Sequence, residues 1–159
     1  MWLSIIGILL LCIIFYLFLT APRLGGRKRL HPFLGVQWAH RGLHNVKMGI
    51  PENSMAAFRA AVKEGYGIEL DVHLSRDKKI VVFHDETFNR VCARDGRVEE
   101  TDYREMKKYN LLNTKERIPL LKEVLDYVDG RVPLLIEVKL PTADTRICEC
   151  LEKELEGYG

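Results

Sequence analysis

"GIELDVHLSRDKKIVVFHD", residues 67–85, holds two short apolar runs joined by a charged turn, and acidic groups and a histidine interrupt the apolar pattern. Read as strands, "IELDVHL" and "KIVVFHD" flank "SRDKK" as the turn. Residues two apart on a strand face the same side, so Glu69 and Asp71 share one face while Ile68, Leu70 and Val72 share the other. Two carboxylates are thereby aimed at one point, and His84, followed by Asp85, closes the second run.

Working outward, "LGVQWAHRG" is an apolar run that ends in His40 and Arg41, and reads as a first strand. "PENSMAAFRAAVKEG" supplies a cap at Asn53 or Ser54, apolar Met55, Phe58 and Val62 at helical spacing, and Gly65 as a stop. Downstream, "TDYREMKKYN" reads as a short helix. "IPLLKEVLDYV" reads as a better one, with Leu121, Val124, Leu125 and Val128 on one face. "VPLLIEVK" is the next strand, with Glu137 near its end and Lys139 on the same face. "TADTRICECLEKELEGYG" places Ile147, Leu151 and Leu155 four apart. Strands alternating with helices predict an α/β fold with a parallel sheet.

In such folds the C-terminal ends of the strands converge on the ligand site, and every polar interruption falls at a predicted strand end. Three unpaired carboxylates that close would repel one another, and a hard divalent cation removes the problem. Oxygen ligands from Glu69, Asp71 and Glu137 suit Mg²⁺ or Ca²⁺ better than Zn²⁺. His40 and His84 can exchange protons near neutral pH, and Arg41 or Lys139 can neutralise an anion. Together these groups describe a phosphoryl-transfer site. The acid pair taken alone also fits half-exposed strand chemistry, and His44 and His73 read as structural or exposed; His73 continues the alternation but lies toward the turn.

The chain resembles the glycerophosphodiester phosphodiesterase family through "AHRG" (39–42), "PENS" with "AAF" (51–58), "IELDV" (68–72), "VVFHD" (81–85), "IPLLKEVL" (118–125) and "IEVK" (136–139). The resemblance implies a (β/α) barrel of the TIM type with a divalent cation, Mg²⁺ or Ca²⁺, at the C-terminal ends of its strands. It places the family's acid/base histidines on His40 and His84, its phosphate contacts on Arg41 and Lys139, and its metal carboxylates on Glu69, Asp71 and Glu137. Glu52 and Asp85 are secondary site candidates. The implied reaction hydrolyses a glycerophosphodiester, or a lysophospholipid, to a glycerol 3-phosphate-type monoester and an alcohol. A phosphatidylinositol-type phospholipase fits the IELD pair and the PEN segment less well.

A TIM barrel takes about 250 residues, and only about 125 follow the basic segment. The expected fold is therefore the N-terminal half of a barrel, about four βα units. Three arrangements compete: a piece of a longer enzyme, a pair of copies closing one barrel, or a catalytically silent membrane-anchored binding or regulatory module.

The N-terminal segment carries its own expectation. "WLSIIGILLLCIIFYLFL" is uncharged, and as a helix some 20 residues rise roughly 30 Å, about the thickness of a bilayer's hydrocarbon core. No positive residue precedes it, which favours a retained transmembrane anchor over a cleaved signal peptide. Trp2, Tyr16 and Phe18 sit near its ends, and "RLGGRKR" after it places the remainder on the cytosolic side. The predicted organisation is an anchor at 1–22, a basic linker at 23–34 and the partial barrel domain at 35–159, in a single-pass membrane protein.

Composition limits the partners. The chain has 159 residues, 47% hydrophobic and 29% charged, with a net charge of +2. Residues 1–29 hold four basic residues and no acids, so of the 24 basic residues 20 remain against 22 acidic ones beyond them. A near-neutral globular part argues against nucleic acid as a partner. The four cysteines read as free thiols, Cys148 and Cys150 pointing to different sides of their helix.

Overall fold

The computed structural model describes residues 2–21, 31–141 and 145–158. The basic residues of the expected linker, Arg23 to Arg29, lie outside the described residues, as do residues 142–144 of the last predicted helical stretch. The chain divides into two compact units, Met1–Leu34 and Gly35–Gly159.

In the first unit, helix α1 spans Trp2–Thr20, with side chains described from Ile5 onward. Among the described residues no helix is long and apolar enough to cross a membrane. The expectation of a transmembrane helix is corrected accordingly, and with it the single-pass membrane placement.

The second unit is built on a four-stranded sheet of β1 (Trp38–Ala39), β2 (Gly67–Leu74), β3 (Ile80–Val82) and β4 (Leu134–Val138). β2 is its centre. It pairs in parallel with β1 (Ala39 opposite Ile68) and with β4 (Glu69 opposite Leu135, Asp71 opposite Glu137). β3 pairs antiparallel with the far end of β2, Val72 opposite Val82 and Leu74 opposite Ile80. β1 and β3 thus follow one another along the edge of β2 that faces away from β4.

The expected half-barrel of about four parallel βα units is therefore corrected to an α/β fold with a partial, mixed sheet. The reason lies in the connection. A parallel neighbour needs a crossover of a dozen or more residues, whereas "SRDKK" can only turn the chain back on itself. Ser75 and Asp77 build that turn: the Ser75 hydroxyl donates to Asp77 Oδ1 (2.7 Å) and accepts from the Lys79 amide (2.8 Å).

The helices follow the apolar spacing. α2 (Met55–Glu64) starts at Ser54, whose hydroxyl accepts from the Ala57 amide, and ends at Gly65 in the left-handed conformation. α3 (Leu121–Val128) buries Leu121, Val124, Leu125 and Val128, and Glu123 folds back to accept from the Leu120 amide at 2.8 Å. α4 (Arg146–Leu155) buries Ile147. These apolar faces meet Ile68, Leu70 and Val72 in one core, together with Phe58 and Ala61. A second core gathers Val81, Phe83, Phe88, Val98, Met106 and Ile118 under the segment after β3. Alternation along β3 divides its side chains between the two, Ile80 and Val82 to the first and Val81 to the second. All four cysteines are free.

Gly42 fixes where β1 hands over to the site. Its φ is +79°, and a Cβ there would lie 2.8 Å from the Ala57 Cβ, so α2 packs directly on the backbone beside Arg41. Gly42→Ala adds a left-handed penalty to a clash with a buried helix and is expected to cost about 1–3 kcal/mol. The midpoint of urea unfolding of the full chain measures this; an unchanged midpoint would mean that α2 can yield.

Candidate active site

The polar face of β2 is the floor of the site. Glu69 and Asp71 lie on it, Glu137 joins them from β4 through its register with Asp71, and one carboxylate oxygen from each lies within 4.8 Å of the others. Asp71 is only 1% exposed, Glu69 is buried, and the Glu137 side chain is 57% exposed.

Burying a carboxylate is costly unless charges and hydrogen bonds compensate it. Asp71 has three partners from three segments. Asn53 donates its side-chain amide to Asp71 Oδ2 at 2.8 Å, Arg41 Nε lies 3.4 Å from the same oxygen, and Lys139 Nζ lies 2.9 Å from Oδ1. Lys139 also donates to Glu137, so its ammonium bridges two of the three carboxylates. Burial disfavours the charged Lys139, but hydrogen bonds and charge from Glu137 and Asp71 outweigh it and hold its pKa above the ordinary lysine value. Glu69 accepts the Arg41 backbone amide at 2.9 Å, and His40 Nε2 lies 4.0 Å from the same oxygen.

Two left-handed residues shape the approach to β2. Arg41 (φ 56°) and Asn53 (φ 50°) are not glycines, and the Asn53 amide donates to the Arg41 carbonyl at 2.9 Å. Such conformations cost on the order of 1–3 kcal/mol and persist where neighbours over-determine them. Here the bond between the two loops and the bond of each to a buried carboxylate supply that restraint.

His84 is reached by the hairpin. Because β3 runs back along β2, with the Phe83 amide donating to the Asp71 carbonyl at 2.9 Å, the next residue returns to the level of the carboxylates. His84, Asp85, His73 and Lys139 line one cleft. His84 Nδ1 is 2.6 Å from Asp85 Oδ1. Asp85 is held down to about 2 by hydrogen bonds from Arg90, against the effect of burial and with help from His84. Buried His73 places Nε2 3.1 Å from the His84 carbonyl, which can only accept, so this nitrogen carries the proton. Desolvation keeps His73 below the ordinary histidine value.

Of the sequence-predicted residues, Arg41, Glu69, Asp71, Glu137, Lys139 and His40 form one contact network. Glu52 enters it through Arg41 Nη1, which donates to Glu52 Oε1 at 3.0 Å. Burial acts to raise the Glu52 carboxyl, but Arg90 and Arg41 outweigh it and hold it below the usual range. His84 and Asp85 connect to the network at Glu52, through Arg90. Three residues escaped the sequence reading: Asn53, weighed only as a cap; His73, set aside as turn-side; and Arg90. For Asn53 a signal existed, since Ser54 suffices to cap α2.

The donor set fits a hard cation. Three carboxylates offer oxygen only, which suits Mg²⁺ or Ca²⁺, and among the described residues buried Asp71 Oδ1 meets only the Lys139 ammonium, leaving acceptor capacity for a cation. Glu69, Asp71 and Glu137 are the residues that would hold the ion.

The comparisons fall on the same segment. Residues 40–157 match the glycerophosphoryl diester phosphodiesterase family. A glycerophosphodiester phosphodiesterase of Bacillus altitudinis is 37% identical over 131 residues, covering 76% of this chain and 52% of that one. A human lysophospholipase D is 32% identical over 138 residues, 79% of this chain and 43% of that one. An Oleispira antarctica phosphodiesterase solved with the product sn-glycerol-3-phosphate superposes with a TM-score of 0.71 at 27% identity, covering 80% of this chain and 54% of that one. The fold is the α/β type seen in these solved relatives, and the chain belongs to the glycerophosphoryl diester phosphodiesterase family. It spans about half the length of the curated relatives it matches.

Two expectations follow. Asp71→Asn removes the central carboxylate and should weaken Mg²⁺ or Ca²⁺ binding at least tenfold in calorimetric titration, whereas Asn53→Ala should weaken it less, by loosening Asp71. Asp85 has a lower pKa folded than unfolded, so its contribution to stability is complete above about 3.8 and disappears as pH falls toward 2. Asp85→Asn should therefore flatten the fall in urea midpoint between pH 4 and pH 2; an unaltered slope would contradict the paired state of Asp85.

Proposed function

We propose that residues 35–159 carry the catalytic centre of a metal-dependent glycerophosphodiester phosphodiesterase, with Mg²⁺ or Ca²⁺ held by Glu69, Asp71 and Glu137. The observation that carries this reading is the convergence of three carboxylates with Arg41 and Lys139 on one face of β2, beside two histidines from different strand ends.

The cation, when bound, would neutralise charge on the phosphoryl oxygens. Arg41 and Lys139 would position the phosphate, their cationic groups already lying against the carboxylates. Either water attacks phosphorus directly as the bond to the alcohol oxygen breaks, or a glycerol hydroxyl attacks first, expelling the alcohol and leaving a cyclic phosphodiester that one water then opens to the monoester. One histidine takes the proton of the attacking hydroxyl and the other protonates the leaving alkoxide. The sum is hydrolysis, one water consumed, to a glycerol 3-phosphate-type monoester and an alcohol. His84, with Nδ1 directed to Asp85, presents Nε2 to the reaction, and His40 does so from beside Glu69. Glycerophosphodiesters are the proposed substrates, and lysophospholipids are a second class, a reading supported by the lysophospholipase D relatives. Self-association supplies a further reading, because among the described residues β4 pairs only with β2, leaving its other edge for a second copy.

The test is glycerol 3-phosphate release from glycerophosphocholine and from a lysophospholipid, with Mg²⁺, Ca²⁺ or EDTA. Metal-dependent product is expected from the wild-type chain, and loss of at least 100-fold in Glu69→Ala and in His40→Ala. Turnover that survives Glu69→Ala would remove the site assignment. A folded wild-type chain that binds metal and releases no product would favour a silent binding module.

A further inference from the structure

Arg90 lies in a helical turn, Asn89–Cys92, that joins none of the family-like motifs of the sequence. Its guanidinium nevertheless grips two carboxylates with two of its edges. Nε and Nη2 donate to Asp85 Oδ2 and Oδ1 at 2.7 and 2.8 Å, while Nη2 and Nη1 donate to Glu52 Oε1 and Oε2 at 2.7 and 3.1 Å. Asp85 is the partner of His84 Nδ1, and Glu52 is the partner of Arg41. Charges alternate along Arg41, Glu52, Arg90 and Asp85, and the line ends on the His84 imidazole.

We infer that Arg90 is a positioning residue that locks the Asp85 carboxylate in one rotation, so that His84 keeps its proton on Nδ1 and turns Nε2 toward the cleft. The carboxylate torsion of an aspartate is broad and roughly two-fold. A pair made only of Asp85 and His84 would leave both groups free to turn. A planar fork on both oxygens removes that freedom, and its second edge ties the assembly to the loop that carries Arg41. Below the ring, His73 fixes the His84 carbonyl, so backbone and side chain are restrained by different residues. The Arg90 side chain is 48% exposed, and a single exposed ion pair would hold Asp85 ionised without fixing its rotation; the double fork adds the fixed rotation.

The catalytic part of this inference rests on the proposed phosphodiesterase reading; the structural part does not, and the experiment separates them. Long-range ¹H–¹⁵N correlation of the imidazole nitrogens, with His84 assigned by its loss in His84→Gln, reads the tautomer directly in the full chain. In the wild type the neutral His84 ring should carry its proton on Nδ1. In Arg90→Gln the Nε2–H tautomer should appear, and Arg90→Lys should not restore the wild-type pattern, because one ammonium cannot hold two carboxylates as a fork. Unchanged His84 nitrogens in Arg90→Gln, or full restoration by lysine, overturn the inference. Should Arg90→Gln fail to fold, Glu52→Gln, which keeps Asp85 and removes the far anchor of the fork, is read in the same way. With active wild type, kcat should fall on the order of 10- to 100-fold in Arg90→Gln with KM within about twofold. Wild type without turnover defeats the phosphodiesterase reading alone, and the tautomer measurement still decides the role of Arg90.

Discussion

A carboxylate that is 1% exposed in the central strand of a sheet governs this structure. Asp71 cannot be hydrated there, and its charge is tolerated only because Asn53, Arg41 and Lys139 reach it from three other segments. Each of those partners imposes a local shape. Asn53 and Arg41 must adopt left-handed backbone, Gly42 must remain a glycine so that α2 can close over the loop, and β4 must hold its register for Lys139 to arrive. Compensation of one buried charge thus specifies the first loop, the start of the first core helix and the pairing of β4.

The hairpin is the second determinant. A parallel strand after β2 would have carried its final residues away to a neighbouring strand end. Turning back brings His84 alongside the carboxylates through contacts local in sequence, and such closure costs little loop entropy. His73 exploits the same return, since the strand that places it beneath Asp71 on the polar face also sets it against the His84 carbonyl.

Much of this was legible in the sequence because periodicity reports faces. Alternation placed Glu69 with Asp71 and opposed them to Ile68, Leu70 and Val72, and helical spacing gave the buried faces of α2 and α3. Periodicity does not report partners. "KIVVFHD" reads identically as a parallel or an antiparallel strand, and only the length of "SRDKK" separates the two, a constraint that the expectation of four parallel units overlooked. Arg90 was illegible for a related reason: its partner Glu52 lies 38 positions away, and an arginine in a polar turn carries no signal of the fork it makes. The membrane expectation weighed apolar composition over residues 1–22, whereas among the described residues no helix is both long and apolar enough to cross a membrane.

Burial also sorts the polar groups by the work their chemistry requires. Metal ligands must be fixed, and the proposed ligands Asp71 and Glu69 are dry, restrained from several directions and close to the sheet backbone. Groups that exchange protons must meet substrate and solvent, and of the two histidines proposed for that role the His40 side chain is 68% exposed while His84 opens to the cleft. A histidine with that freedom would turn unless held at its other nitrogen. His84 is held there by Asp85, and Asp85 by Arg90, so rigidity is delivered to the ring from its solvent side without burying it. On the proposed reading Asp71 and Glu69 would bind the ion where Coulomb attraction is strong, Glu137 would close it from the exposed side, and the histidines would exchange protons where water can reach them.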